Sequence, residues 1–213
     1  MVLADPARAT PPPDVLLFQE VVERSHVAHL RPHLAAAGYT LFPSQPHPER
    51  EYYEAIAVRA PHRVLDAGRE PLDSAQGREL VWARVHIGGQ EWLLMTAHLE
   101  SMAVGQRQRL IQTREVLDRL DAADGPAVFG GDTNLRDAEA DRLGPLPDAW
   151  EASGAPASER WTRISRSGRK RYDRIWGRNV RFSGFRCLGR DPVTPDGQPP
   201  SDHLGVRVRV RGA

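Results

Sequence analysis

Short apolar runs in this chain repeatedly break off into clusters of acids, amides and histidines. Gln19-Glu20 follows Val15-Leu16-Leu17-Phe18, and His98-Leu99-Glu100-Ser101 follows a run ending in Thr96-Ala97. Gly131-Asp132-Thr133-Asn134 follows Ala127-Val128-Phe129, and Ser201-Asp202-His203 opens onto Leu204. Each cluster lies where a buried strand would surface. Hard oxygens suit a divalent metal, a separate carboxylate can orient a water, and imidazoles can donate to growing charge. That inventory matches metal-assisted attack on a phosphate ester.

At 213 residues the chain suits one full core, so a single domain over 1–213 is expected, opened by a polar, proline-rich leader over 1–13. The leader lacks the apolar stretch of a signal peptide. No segment approaches the roughly 20 apolar residues of a membrane span, so no membrane partner is expected. The lone Cys187 allows no internal disulfide and suits the cytoplasm. A monomer is expected. The net charge of +1 neither demands nor forbids nucleic acid. All basic side chains except Lys170 are arginine, which fits either a genomic codon bias or a use for bidentate phosphate contacts.

Alternation and β-branched content predict strands over 15–18, 53–59, 79–87, 91–97 and 127–129, then 172–176, 180–188 and 204–210. Gly88-Gly89 reads as a hairpin turn that delivers His98 just past a strand end. Residues 21–37 turn helical and stop at Gly38. The clearest helix covers 105–121, with Leu110, Ile111, Leu117 and Leu120 as its expected buried face. Gly130-Gly131 is expected to turn the backbone sharply before Asp132. Strands with hairpins and intervening helices favour two packed mixed sheets with helices outside over a doubly wound parallel sheet.

Several strings carry a family resemblance over about residues 15–210. They are Leu17-Phe18-Gln19-Glu20, Thr96-Ala97-His98-Leu99-Glu100-Ser101 and Gly130-Gly131-Asp132-Thr133-Asn134-Leu135-Arg136-Asp137. Asp148-Ala149-Trp150, Trp161-Thr162, Arg171-Tyr172-Asp173-Arg174-Ile175 and Ser201-Asp202-His203 complete the set. In order and spacing the chain resembles the endonuclease/exonuclease/phosphatase superfamily. The Leu-Glu-Ser extension, Arg109 and Gln112 on the next helix, and the Thr-Asn-Leu-Arg-Asp run are similar to its 5′-tyrosyl-DNA phosphodiesterase branch.

The resemblance implies an α/β, DNase I-like four-layer αββα sandwich of two mixed sheets flanked by helices. It implies a nuclease-like hydrolase, a phosphodiesterase that uses Mg²⁺ or Mn²⁺ at DNA ends, in DNA repair. Glu20 would then ligate the metal, with Asp202 beside it. Asp132 would activate the attacking water, and Asn134 would help to hold water and phosphate. His98 and His203 would donate to phosphate oxygens, with Asp173 pairing His203 to fix its tautomer and charge. Ser101 and Arg136 would contact substrate phosphate, while Trp161, just before the basic segment, reads as an aromatic platform for substrate. The family's opening strand, which bears Trp-Asn, has no counterpart in the leader, so that strand is expected to be absent and the metal site weakened. The basic segment 163–171 reads either as a loop tracking a nucleic-acid backbone or as a solvated surface. Two rival functions remain at this stage. One is hydrolysis of small-molecule or lipid phosphate esters, and the other is a catalytically silent binding protein.

Overall fold

A computed structural model of the chain describes residues 11–166, 168–191, 199 and 201–213. The expectations for residues 1–10 of the leader, the absent opening strand included, lie outside the described residues, as do Ser167 of the basic segment and Pro200.

β1 (Val15–Val22), β2 (Tyr39–Phe42) and β3 (Tyr52–Arg59) form an antiparallel sheet in the order β1-β3-β2. Between β1 and β2 the chain runs through α1 (Glu23–Ser25), a π-helical stretch (His26–Leu30) and α2 (Arg31–Ala36). The turn after α2 carries Gly38 at φ +80°. β4 (Arg63–Pro71), β5 (Glu79–Ile87) and β6 (Gln90–Ala97) follow as an antiparallel meander. α3 (Gln106–Asp121) then crosses over to β7 (Ala127–Asp132), parallel to β6. The chain continues through α4 (Asp137–Leu143), α5 (Ala149–Ala152) and a small hairpin of β8 (Arg163–Ser165) and β9 (Gly168–Lys170). β10 (Asp173–Arg178) completes a five-stranded sheet in the order β10-β7-β6-β5-β4. β11 (Val180–Leu188) and β12 (Gly205–Gly212) form a separate antiparallel ribbon.

Three apolar clusters define the layers. Ile56, Val58, Val81, Val85, Leu94, Val128, Phe185 and Leu204 fill the space between the five-stranded sheet and the layer of β1-β3-β2 and β11-β12. Leu80, Met95, Val116, Leu120, Phe129 and Trp176 pack α3 onto the outer face of the five-stranded sheet. Val21, Leu34, Tyr39, Leu41 and Tyr53 pack the helical segment against the outer face of the three-stranded one. The order is helix, sheet, sheet, helix, and sheet-on-sheet burial fixes it.

Four local readings need correction. Only the five-stranded sheet is mixed; the opposing layer consists, among the described residues, of two antiparallel pieces. The helical reading of 21–37 begins too early, because Val21 and Val22 still pair in β1. The buried face of α3 is Arg109, Gln112, Thr113, Val116 and Leu120, while Leu110, Ile111 and Leu117 are only partly covered. Polar groups can line that face because each finds a partner, as shown below. Gly130 and Gly131 do not turn the chain; both stay within β7. A Cβ on Gly131 would stand 2.1 Å from the Ala97 carbonyl oxygen, so the glycine lets β6 and β7 meet.

Candidate active site

The strand ends of the five-stranded sheet converge on Asp132. It is the last residue of β7, and Asp173, the first of β10, lies directly opposite it in register. On the other side the backbone of His98 forms a parallel bridge with that of Asp132, and the Leu99 N–H donates to the Asp132 carbonyl at 2.8 Å. His203 arrives from the segment before β12, whose backbone bridges to Arg163 at the start of β8.

The side chains then meet. His98 Nε2 lies 3.5 Å and His203 Nε2 3.8 Å from Asp132 Oδ2. His203 Nδ1 faces both Asp173 oxygens at 3.0 and 3.1 Å. Glu20 Oε1 is 3.4 Å from His98 Nδ1. The Asn134 N–H donates to Asp132 Oδ1 at 2.9 Å, and its side-chain amide donates to the Leu99 carbonyl at 3.2 Å. Asn134 holds φ 51°, a left-handed conformation that asparagine tolerates.

Burial first, and the neighbouring charges after it, set the protonation states. Burial, with the Asp173 charge next in weight, pushes the Asp132 carboxyl up to about 7. Burial lowers His98 to about 3, helped by Arg78 and His203, so its imidazole is neutral near pH 7. Burial also acts to lower His203, but the Asp173 hydrogen bond and charge outweigh it and raise the ring to about 9. Near pH 7 His203 is therefore cationic and His98 neutral, and each ring keeps an N–H to donate.

Glu20 does not cap a finished strand. It occupies a bulge inside β1, at φ 54°, between the Phe18–Ala55 and Val21–Tyr53 pairs. Asp202, half exposed, pairs with Arg163 at 2.7 Å instead of entering the cluster. Asp132, Asp173 and His203 bring one ligand atom each within 4.8 Å of one another. With Nδ1 engaged by Asp173 and the ring cationic, His203 is a donor in this state rather than a metal ligand.

The remaining expected residues lie around the rim. Ser101 donates from N–H and Oγ to Gln76 Oε1 at 2.9 and 3.0 Å. Arg136 is exposed ahead of α4. Trp161 stacks under Arg160 at 4.7 Å, one residue from Thr162, whose carbonyl accepts from Leu204 N–H. In the basic segment Arg171 is buried against Asp148 at 2.8 Å, whereas Arg166, Arg169 and Lys170 are exposed. Sequence reasoning missed a further group. Buried Arg78 contacts Gln76 at 3.0 Å and lies 5.7 Å from the Tyr52 ring centroid, and Tyr52 in turn lies 6.4 Å from the His98 ring. Its short turn carries no periodic signal that marks it.

The loop bearing His98 is clamped from behind. Arg109 donates to both Glu139 oxygens at 3.0 and 2.7 Å and to the Glu100 and Met102 carbonyls at 2.8 and 3.0 Å. Gln112 accepts from Glu100 N–H at 2.7 Å.

A model of the Endonuclease/Exonuclease/phosphatase family matches residues 4–203. The chain belongs to that family. Among its members, the Gallus gallus protein "Tyrosyl-DNA phosphodiesterase 2" is 33% identical over 226 residues, covering 92% of this chain and 58% of that protein. The Rattus norvegicus counterpart is 34% identical over 216 residues, covering 91% and 57%. The chain thus spans little more than half the length of these curated relatives. A crystal structure of D. rerio TDP2 with a single-strand DNA product superposes with TM-score 0.82 at 30% identity, covering 93% of this chain and 86% of that one. The family fold is the one described above.

Proposed function

We propose that the chain is a metal-dependent phosphodiesterase acting on phosphodiesters at DNA ends, of the 5′-tyrosyl-DNA type. The observation that carries the reading is Asp132, buried beside two imidazoles with its carboxyl raised to about 7, in a chain similar to Tyrosyl-DNA phosphodiesterase 2. A carboxylate with that affinity for protons can take one from water at neutral pH and remain separate from the phosphate.

In this reading Asp132 orients the attacking water and accepts its proton as the oxygen closes on phosphorus. The bond to the leaving oxygen breaks in line. His203, cationic through Asp173, donates from Nε2 to a non-bridging oxygen as its charge grows. Neutral His98 offers one N–H to another, and Asn134 holds the Asp132 carboxylate in place. Ser101, Arg136 and Trp161 would contact the substrate from the rim.

The donors present fit Mg²⁺ or Mn²⁺. Glu20 is a largely exposed hard oxygen donor whose charge adds to the crowding on Asp132. It faces His98 Nδ1, a buried nitrogen with no hydrogen-bond partner. Glu20 would hold the ion, and Asp202 would have to leave Arg163 to join it. When bound, the ion would offset charge on the phosphoryl oxygens. No helix among the described residues is long and apolar enough to cross a membrane. A cytoplasmic setting remains the reading, because the lone Cys187 can form no internal disulfide.

The test is cleavage of a 5′-tyrosyl oligonucleotide, with and without Mg²⁺, beside a panel of small phosphate monoesters. Metal-dependent release of a 5′-phosphate end is expected. Faster turnover of the small esters would overturn the DNA reading, and no turnover of either would leave a binding protein.

A further inference from the structure

The ribbon of β11 and β12 carries five arginines and no acid: Arg181 and Arg186 on one strand, Arg207, Arg209 and Arg211 on the other. The pairing puts Arg181 opposite Arg211 and Arg186 opposite Arg207, with Arg209 opposite Ser183. Alternation sends Val206, Val208 and Val210 into the core with Phe185 and Cys187, so the arginines share the outward face.

Like charges set directly across a ladder destabilise it. Among the described residues little relieves these. Arg186 reaches Glu159 only at 4.0 Å, and Glu159 already holds Arg190 at 3.1 Å. Arg207 donates to the Pro11 carbonyl at 3.2 Å. Arg181, Arg209 and Arg211 are exposed, and among the described residues no carboxylate lies within ion-pair distance of them. Protecting a sheet edge needs one or two charges, not an aligned double row.

We propose that this face is a track for the backbone of single-stranded nucleic acid. Successive arginines of β12 are two residues apart, about 6.8 Å along an antiparallel strand. That repeat is of the same size as the one between successive phosphates of an extended strand. Guanidinium forks suit phosphate bidentately. The row also has a direction: it begins at Arg207, four residues beyond His203, and runs away from the site to Arg211. A strand whose end occupies the site can continue along it. The choice of nucleic acid over other polyanions rests on the DNA reading above; the binding itself needs no turnover.

The test uses the full chain in metal-free buffer and a fluorescent oligodeoxythymidylate of about 20 nucleotides, followed by anisotropy across a salt series. Arg181→Gln/Arg209→Gln/Arg211→Gln is expected to weaken binding about tenfold at low salt and to flatten the log–log salt slope by about 2, since each single-strand phosphate contact contributes roughly 0.7. The matching triple lysine variant is expected to keep most of the slope, and both variants to melt as the wild type does. Both are also expected to turn over a very short 5′-tyrosyl substrate at the wild-type rate. An unchanged affinity and slope in the glutamine variant would overturn the track. So would equally tight binding of polyglutamate or of anionic lipid vesicles by the wild type. Loss of tyrosyl turnover with binding intact would count against the proposed reaction and leave the track standing.

Discussion

Arg109 and Asp132 are both almost fully enclosed, yet their surroundings are built oppositely. Arg109 has an acceptor at every turn: two oxygens of Glu139 and two backbone carbonyls. Glu139 is held low because its bonds from Arg109 and the Arg136 N–H outweigh its burial. Asp132 instead faces another carboxylate across the ladder, with Glu20 adding to the repulsion. One site uses buried charge to lock the loop after β6. The other keeps buried charge in tension, and a group in tension readily changes protonation state.

The sharpest way to break this contrast is to remove the charge at each site. Asp132→Asn is expected to cut turnover by about a thousandfold or more while leaving thermal stability equal or higher. A substantial fall in melting temperature would make Asp132 structural. Arg109→Met leaves the buried Glu139 charge with only the Arg136 N–H of its hydrogen bonds and is expected to destabilise the fold by about 3–5 kcal/mol in urea titration. If it melts like the wild type, the clamp is not holding the loop.

Acid then separates the two sites. A carboxyl raised to about 7 destabilises the fold while ionised, so Asp132 favours folding increasingly as pH falls through 7. Glu139 is depressed, so its contribution is full above the ordinary value of 4.5 and is lost as pH falls through its lower folded value. Melting midpoints should therefore rise from pH 8 toward about 6.5, below which His98, lowered from 6.5 to about 3, opposes the Asp132 gain, and should fall below about 4. A monotonic fall over the whole range would contradict the assignment.

The rate profile sharpens the same point. His203, raised from 6.5 to about 9, contributes stability fully below 6.5 and loses it as pH rises through 9; activity that needs the imidazolium should follow. Asp173→Asn removes the anion facing both His203 and Asp132, so both limbs of the profile should move toward acid. NMR titration of His203 with an unchanged midpoint would refute the pairing. The smallest effect is expected on the exposed strand β9. Arg169→Gln with Lys170→Gln should weaken DNA a few-fold and spare small chromogenic esters. Arg171 belongs to the buried, paired class and is not a fair probe of that surface.

The sequence exposed the strand-end residues because a polar cluster after an apolar run is conspicuous. His98, Asp132 and His203 were legible for that reason, whereas Asp173 and its pairing with His203 were read from the family resemblance. The helix over 106–121 was legible in extent but not in orientation. Arg109 and Gln112 look like surface residues until Glu139 and the Glu100 backbone arrive from other parts of the chain to satisfy them. Arg78 was hidden likewise, since its burial depends on Tyr52 and Gln76. The strands over 39–42 and 63–71 were missed because each is short of apolar residues on one side, and pairing decides them rather than pattern. The protonation of His98 could not be read either, because it depends on neighbours brought together only by folding.

The bulge at Gln19-Glu20 makes β1 a strand with two reading frames. Before it, Val15 and Leu17 face the opposing sheet, while Leu16 and Phe18 face the helices. After it, Val21 faces the helices, although unbroken alternation would send it to the other side. One extra residue thus shifts the phase of the strand at the point where Glu20 is presented. Deleting Gln19 would restore a single frame with Val21 still on the helix-facing side, and it would take the Glu20 carboxylate out of the bulge that presents it to His98. The extra residue thus serves the site and not the core: its deletion is expected to spare the packing of Val21 and to cost Glu20 its place beside His98.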